Sequence, residues 1–416
     1  MIYRGTMEAE WGSPRYVSDQ FRRWYSAHSA TIPAPTEIRR REFAFLSFGG
    51  KTMFRHIGFG DEAALRRHLA DNAPAHCYHS SSYYKNPEAE MSGKGWLGAD
   101  LVFDIDADHF NLPCQKEHDR WRCRTCGAEG TGKPPELCAC GKATFEAETW
   151  LCERCLRTAK HETQKLLDIL IQDFGADPSR DMVVNFSGNR GYHVHVRSQA
   201  VRTLDQSARR EIVDYIKGTG LDPEYMGFSP QLRGGAPSLA EEGWRGRAGR
   251  SLYDYVASVT PEEVKALKIG RSATRNILER REEVLESLRE KPPNSLLRLI
   301  DTGSLDKIMA ASIREQAADI DTVVSTDIHR LIRLPNTLHG KTGWQVQTVQ
   351  IDRLADYDPM NSAIAFKEGT DRVHVRSAPR FRIGETEYGP YGDETVEVPT
   401  AVAMFLLCKK GARIEP

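Results

Sequence analysis

The sequence has almost no net charge. Its 57 Lys and Arg stand against 58 Asp and Glu, a formal charge of −1 over 416 residues. A chain so balanced has no global attraction for a polyanion, so any nucleic-acid contact has to come from local patches. No apolar run reaches the length that crosses a membrane, and the first residues carry no signal-peptide pattern. The expectation is a soluble, intracellular protein with no membrane partner, in the cytoplasm or nucleoid, or in the nucleus of a eukaryote. Cysteine is scarce outside one block: of nine, seven lie between Cys114 and Cys155. Clustering of that kind in an intracellular chain argues for metal rather than disulfides. There is no low-complexity segment and no architectural repeat. The echo of Val194–Ser198 in Val373–Ser377 is five strand-like residues and carries no repeat. At this length the chain can bury a full core, with room for insertions.

The most informative stretch is Leu101-Val102-Phe103-Asp104-Ile105-Asp106. An apolar β-type run ends in two acids two residues apart, so a strand puts both carboxylates on one face and Ile105 on the other. Adjacent carboxylates repel unless a cation lies between them. Oxygen-only sites suit Mg²⁺ or Mn²⁺, and two such ions can drive phosphoryl transfer. Taken by itself, the pair reads equally as solvated acids at a strand end.

Ahead of this strand, residues 14–27 form an amphipathic pattern and 32–35 break it with prolines. Residues 41–48 and 52–57 read as a hairpin about Gly49-Gly50, carrying Glu42 and Arg55. A helix is expected over 62–72, then a polar, aromatic loop over 78–96.

After the acidic strand comes the cysteine block: Cys114 and His118, then Cys123-x-x-Cys126, Cys138-x-Cys140 and Cys152-x-x-Cys155. Paired cysteines at such spacing suit tetrahedral zinc. The eight soft ligands suffice for two closed sites or for one with spare thiols. The simplest pairing is nested, with Cys123, Cys126, Cys138 and Cys140 inside and Cys114, His118, Cys152 and Cys155 outside.

A helix follows over 158–174, stopped by Gly175, and then a strand over 182–186. The run Ser187-Gly188-Asn189-Arg190-Gly191-Tyr192-His193 makes a turn between two strands. Its glycines permit close backbone approach, and Ser187, Arg190 and His193 offer groups suited to phosphate oxygens. Residues 204–312 read as a charged, helical insertion, with helices over 204–217 and 274–290 and a Gly/Arg-rich loop over 231–250. The stretch 319–343 then packs Asp319, Asp321 and Asp327, Arg330 and Arg333, His339 and Lys341 close together. A third carboxylate from it would complete a two-metal site, and its cations would hold a triphosphate. Gly340-Lys341-Thr342 lacks the upstream spacing of a P-loop. A final apolar helix is expected over 401–409.

Taken in order, Leu-Val-Phe-Asp-Ile-Asp, the zinc knuckle, Ser-Gly-x-Arg-Gly-x-His and Arg-Leu-Ile-Arg-x-Pro-x-x-Leu-His-Gly-Lys-Thr-Gly resemble the small, catalytic subunit of archaeal–eukaryotic DNA primases. The order and spacing match across nearly the whole chain, with Ile38–Phe43 and the last helix also fitting. The resemblance implies an α/β (α+β) catalytic core with a mixed sheet, an inserted zinc-binding module and a helical subdomain. On this chain the core would occupy 1–110, 158–203 and 313–416, the zinc module 111–157 and the helical subdomain 204–312.

By resemblance, Asp104, Asp106 and Asp321 bind two catalytic Mg²⁺ or Mn²⁺ ions. Asp321 is preferred to Asp319 or Asp327 for its spacing before His339. Nucleotide contacts fall on Ser187, Arg190, His193, Arg333 and His339, with weaker support for Glu42 and Arg55. The outer quartet corresponds to the family's one structural zinc, while the inner quartet departs from it as an added loop. The implied partners are a large subunit in a heterodimer, a single-stranded DNA template and nucleoside triphosphates. Two other readings are a primase-polymerase of the end-joining repair kind, which would not be expected to carry the zinc block or helical insertion, and a non-catalytic zinc-ribbon nucleic-acid binder, which has no need of aligned carboxylates.

Overall fold

The computed structural model describes residues 11–50, 52–222, 239–289 and 296–415. The chain divides into two compact units, the first comprising 1–161, 178–207 and 321–416, the second 162–177 and 208–320.

The first unit is built on two four-stranded sheets. One runs in the order Leu331–Arg333, His76–Ser80, Phe43–Leu46, Phe54–Ile57; the other runs Gln347–Val349, Met182–Phe186, Gly191–Val196, Leu101–Asp106. The expected hairpin is present, with Phe43 opposite Ile57 and Phe45 opposite Phe54. The acidic strand forms as the sequence suggests: Leu101, Phe103 and Ile105 are buried, while Asp104 and Asp106 lie on the other face and are only partly covered. The imidazoles of His79 and His195 stack between the two sheets, centroids 6.0 Å apart.

Every strand pairing among the described residues is antiparallel. The expected mixed sheet is therefore replaced by antiparallel ones, and the class is α+β. Short turns such as the one from Phe186 to Gly191 allow only antiparallel neighbours; parallel pairing needs a long crossover. The aromatic stretch expected as a loop over 78–96 also contains strand: Ser82–Tyr84 pairs with Trp96–Ala99. Tyr83 and Tyr84 are buried, and β-favouring aromatics on a pleated surface outweigh the polar residues around them.

The helix after the cysteine block spans Glu153–Gln172, starting earlier than expected. Its first turn thus carries Cys155. The closing helix, Thr400–Cys408, is buried from Val402 to Leu407 and stacks Phe405 against Trp344.

The second unit is helical, with a core that includes Trp244, Leu252, Ile277, Leu288 and Met309. The single helix expected over 274–290 is two, Arg271–Glu279 and Arg281–Arg289. They part at Arg280, whose side chain pairs with Glu283 in the first turn of the second helix. Residues 243–250 of the expected Gly/Arg-rich loop are helical, within Gly243–Ser258, and at Gly246 the helix backbone lies so close to the Glu241 carbonyl that a Cβ would fall 1.8 Å from its oxygen. Residues 231–238 lie outside the described residues.

Gly191 is the tightest point of the acidic sheet. It stands opposite Asp106, and a Cβ there would lie 1.9 Å from the Ile105 carbonyl oxygen. Gly191→Ala should cost about 3 kcal/mol by forcing the ladder apart. Gly60, with no atom within 4 Å of its would-be Cβ, supplies the control. Urea melts should show a clear loss for Gly191→Ala and none for Gly60→Ala.

Candidate active site and metal centres

The acidic strand brings two carboxylates to its exposed end, and the chain returns from far away to add a third. Asp321 donates its backbone N–H to the Asp104 carbonyl, at 2.9 Å. Its Oδ1 caps the short helix Thr322–Thr326 by accepting from Val323 and Val324. Its Oδ2 lies 3.7 Å from His109 Nε2. The alternatives are occupied elsewhere: Asp319 pairs with Lys217 and Asp327 accepts from the His329 backbone. Burial and the Asp106 and Asp321 carboxylates push Asp104 up to about 7, against the pull of Arg330 and Arg333. Burial likewise raises Asp106, although Arg190, His109, Lys341 and Lys409 draw it down.

The neighbouring strand sets the imidazoles. His193 lies opposite Asp104 in the ladder, its Nε2 3.5 Å from Asp104 Oδ1. Burial, then Arg333 and Arg330, push its pKa down to about 3, so the ring is neutral. Ser187 folds inward, its hydroxyl accepting the N–H groups of Asn189 and Gly191. That bond shapes the turn. Gly188 sits at φ 80°, and a Cβ there would lie 2.8 Å from that of His339. The Thr342 hydroxyl donates to the Gly188 carbonyl. The turn after Phe186 and the loop ending the 319–343 stretch therefore lock together.

That loop brings its cations with it. Arg333 donates to His76 Nδ1 at 2.6 Å and lies over the Tyr78 ring. His339 meets His76 edge to face, and burial pushes its imidazole well below the ordinary range, helped by the Arg333 charge. Arg190 is almost fully buried and donates to Asp119 and to the Trp150 carbonyl.

Glu42 and Arg55 stand apart from this cluster. Glu42 is buried and pairs with Arg55 and Lys94. Among the described residues neither makes a hydrogen bond or ion pair with the three aspartates.

Several participants escaped the sequence reading. Lys409, at the end of the last helix, donates to the Thr149 carbonyl and bears electrostatically on Asp106. His76 pairs with Arg333. Asn185, opposite His193, is buried and accepts from Thr348. Asp119 holds Arg190. Each is an ordinary polar residue on a strand or helix end, and only tertiary contact gives it meaning.

The soft ligands gather into two groups, Cys114, His118, Cys152, Cys155 and Cys123, Cys126, Cys138, Cys140, each with its ligand atoms within 4.8 Å of one another. This is the nested pairing. Thiolate and imidazole donors in sets of four suit zinc. His118 Nδ1 is engaged by Asp119, which leaves Nε2 toward Cys155 Sγ at 3.4 Å.

Acids, neutral imidazoles and cations drawn from two antiparallel sheets, a helix cap and one loop make a strongly polar site. Comparison with known proteins gives the class. The DNA primase small subunit of Methanothrix thermoacetophila is 34% identical over 429 residues, covering 96% of this chain and 98% of the relative. That of Cenarchaeum symbiosum is 33% identical, covering 94% and 96%, and that of Methanospirillum hungatei 32%, covering 96% of each. The DNA primase small subunit profile matches residues 141–351. The class is that of the DNA-directed primases, which are nucleotidyltransferases. Within it, this chain belongs to the DNA primase small subunit family.

The raised Asp104 makes a pH prediction. Without added divalent ions, the folded protein holds a proton up to about pH 7 that the unfolded chain releases near 3.8. The folded state binds more protons in that window, so this group's contribution makes stability fall as pH rises through it and level off above. Asp104→Asn should remove that group's slope and gain on the order of 4 kcal/mol at pH 8. Urea unfolding of both proteins across pH 5–8 checks it; parallel curves would contradict the shift.

Proposed function

We propose that this chain is the catalytic subunit of a primase that makes short primers on single-stranded DNA by template-directed nucleotidyl transfer. The observation that carries the reading is the convergence of Asp104, Asp106 and Asp321 at one strand end, beside His193, Arg330 and Arg333. The donor set fits Mg²⁺ or Mn²⁺: it is all carboxylate oxygen, and burial together with the neighbouring acids raises Asp104. Asp104, Asp106 and the Oδ2 of Asp321, the oxygen not used in its helix cap, are the groups to hold two such ions. When bound, the ions would lower the pKa of the attacking hydroxyl and screen the leaving pyrophosphate.

The chain's own residues do the rest. Neutral His193 offers a hydrogen-bond donor beside Asp104. Arg190, Arg333 and His339 bind and orient the triphosphate. Ser187 shapes the turn that presents them, while Glu42 and Arg55 support the rim of the first sheet. The soft-ligand quartets hold structural zinc, one ion each. Balanced net charge fits a chain that shares template binding with a partner, the primase large subunit of a heterodimer. The setting is that of the replicating chromosome inside the cell, and no helix among the described residues is long and apolar enough to cross a membrane.

The test is primer synthesis on an unprimed single-stranded template with labelled nucleotides and Mg²⁺ or Mn²⁺. Asp106→Ala should reduce synthesis by at least about a thousandfold while leaving the protein folded, with a melting temperature no lower than the parent's. A mutant that primes at the parental rate would refute the assignment, and so would a parent inactive even with its large subunit.

Elemental analysis should find two zinc ions per chain, falling to one in Cys126→Ser. Chelation should expose residues 114–155 to protease before the rest of the chain, since structural zinc contributes folding energy directly. Retained resistance after full zinc loss would count against a structural role.

A further inference from the structure

Arg190 belongs to the turn that follows Phe186, and its guanidinium lies within electrostatic reach of Asp106 while being anchored by groups outside the acidic strand. Nη1 donates to the Trp150 carbonyl at 2.7 Å and reaches the two oxygens of Asp119 at 3.3 and 3.2 Å. The guanidinium also pairs with Asp108, two residues beyond Asp106. Among the described residues its buried Nε has no hydrogen-bond partner.

Asp119 is itself a junction. Its Oδ1 accepts from His118 Nδ1 and from the Trp150 backbone, each at 2.8 Å. His118 and Asp119 are both buried. The other nitrogen of His118 turns toward Cys155 in the outer soft-ligand cluster. One carboxylate therefore joins a ligand of that cluster to the arginine of the turn.

We propose that Asp119 is a positioning residue which ties the outer Cys/His cluster to Arg190, so that metal in that cluster fixes the arginine for the incoming nucleoside triphosphate. The inference rests on the proposed function. A metal on Nε2 of His118 forces the ring's proton onto Nδ1, where it donates to Asp119 and holds that carboxylate in one orientation. Asp119 and the Trp150 carbonyl then anchor Nη1 of Arg190 and hold the guanidinium charge in register beside Asp106 for the triphosphate. With the cluster empty, the His118 tautomer is no longer fixed, the carboxylate keeps only its bond from Trp150, and the arginine is held less firmly in register. Zinc in this protein thus acts on the nucleotide site as well as on the fold.

Asp119→Asn separates the two roles. The amide oxygen still accepts from His118 and Trp150, but an NH₂ now faces the Arg190 donors where a carboxylate oxygen stood. We expect zinc content to be unchanged and the KM for nucleoside triphosphate to rise about tenfold, with kcat changing far less. Equilibrium binding of a labelled nucleoside triphosphate should weaken by the same factor. In an Arg190→Ala background the second change should add nothing, because the two residues act as a unit. In the parent protein, removing zinc with a chelator and restoring Mg²⁺ should weaken nucleotide binding, and zinc should restore it.

Parental nucleotide affinity in folded, zinc-loaded Asp119→Asn overturns the tie, as do additive penalties in the double variant. If Asp119→Asn does not fold, the chelation experiment decides: affinity unchanged after zinc loss overturns the tie. A parent chain that primes normally in either case leaves the proposed function standing. A parent that neither binds nucleoside triphosphates nor makes primers overturns both.

Discussion

Mutual repulsion among carboxylates at the end of one strand is the constraint around which the first unit is arranged. Asp104 and Asp106 cannot both ionise at ordinary pH without nearby positive charge. The ladder places His193 opposite Asp104, but burial keeps that ring neutral. The compensating charge has to come from elsewhere, and Arg330 and Arg333 supply part of it. Their influence falls short, since Asp104 is still raised. That shortfall lowers stability at high pH.

Bringing distant segments to that strand end takes more than sheet pairing. Asp321 is fixed twice, by its backbone bond to Asp104 and by its helix-capping oxygen. The His339 loop is fixed by the Thr342 bond to Gly188 and by a contact that only a glycine permits. His76, on the first sheet, meets Arg333 and His339, and His79 stacks on His195 of the second. These contacts let two separate sheets and one loop define a single site.

The acidic strand was readable in the sequence because alternation is a local property: apolar and acidic residues sort to opposite faces whatever the partner strands are. The soft-ligand groups were readable because pair spacing is local too. Asp321 was not, since Asp319, Asp321 and Asp327 look alike until one of them bonds to Asp104; only family resemblance favoured it. Strand direction was misread because pairing is set by connections, and short turns impose antiparallel neighbours. The 78–96 stretch hid its strands since its tyrosines sit among glycine, proline and charge. Nothing local marks Asp119, Asn185 or Lys409, whose meaning comes from groups tens or hundreds of residues away.

The two soft-ligand clusters differ in a way that bears on why both exist. The inner one sits on a three-stranded sheet, Arg120–Cys123, Glu129–Thr131 and Phe145–Glu148, with Trp121 packed on Gly130 and Phe145. Cys126 and Cys140 are exposed. A sheet so small and so open has little apolar burial to stabilise it, and a metal held by its four cysteines would supply the cross-link it lacks. The outer cluster has Cys114, His118 and Cys155 buried, and its second layer is Asp119, Trp150 and Arg190. It shares Cys155 with the helix Glu153–Gln172, and its neighbour Trp150 packs on Phe405 of the last helix. The inner cluster can therefore be lost at the expense of its own excursion alone, whereas disturbing the outer one reaches the strand, the turn and the closing helix together.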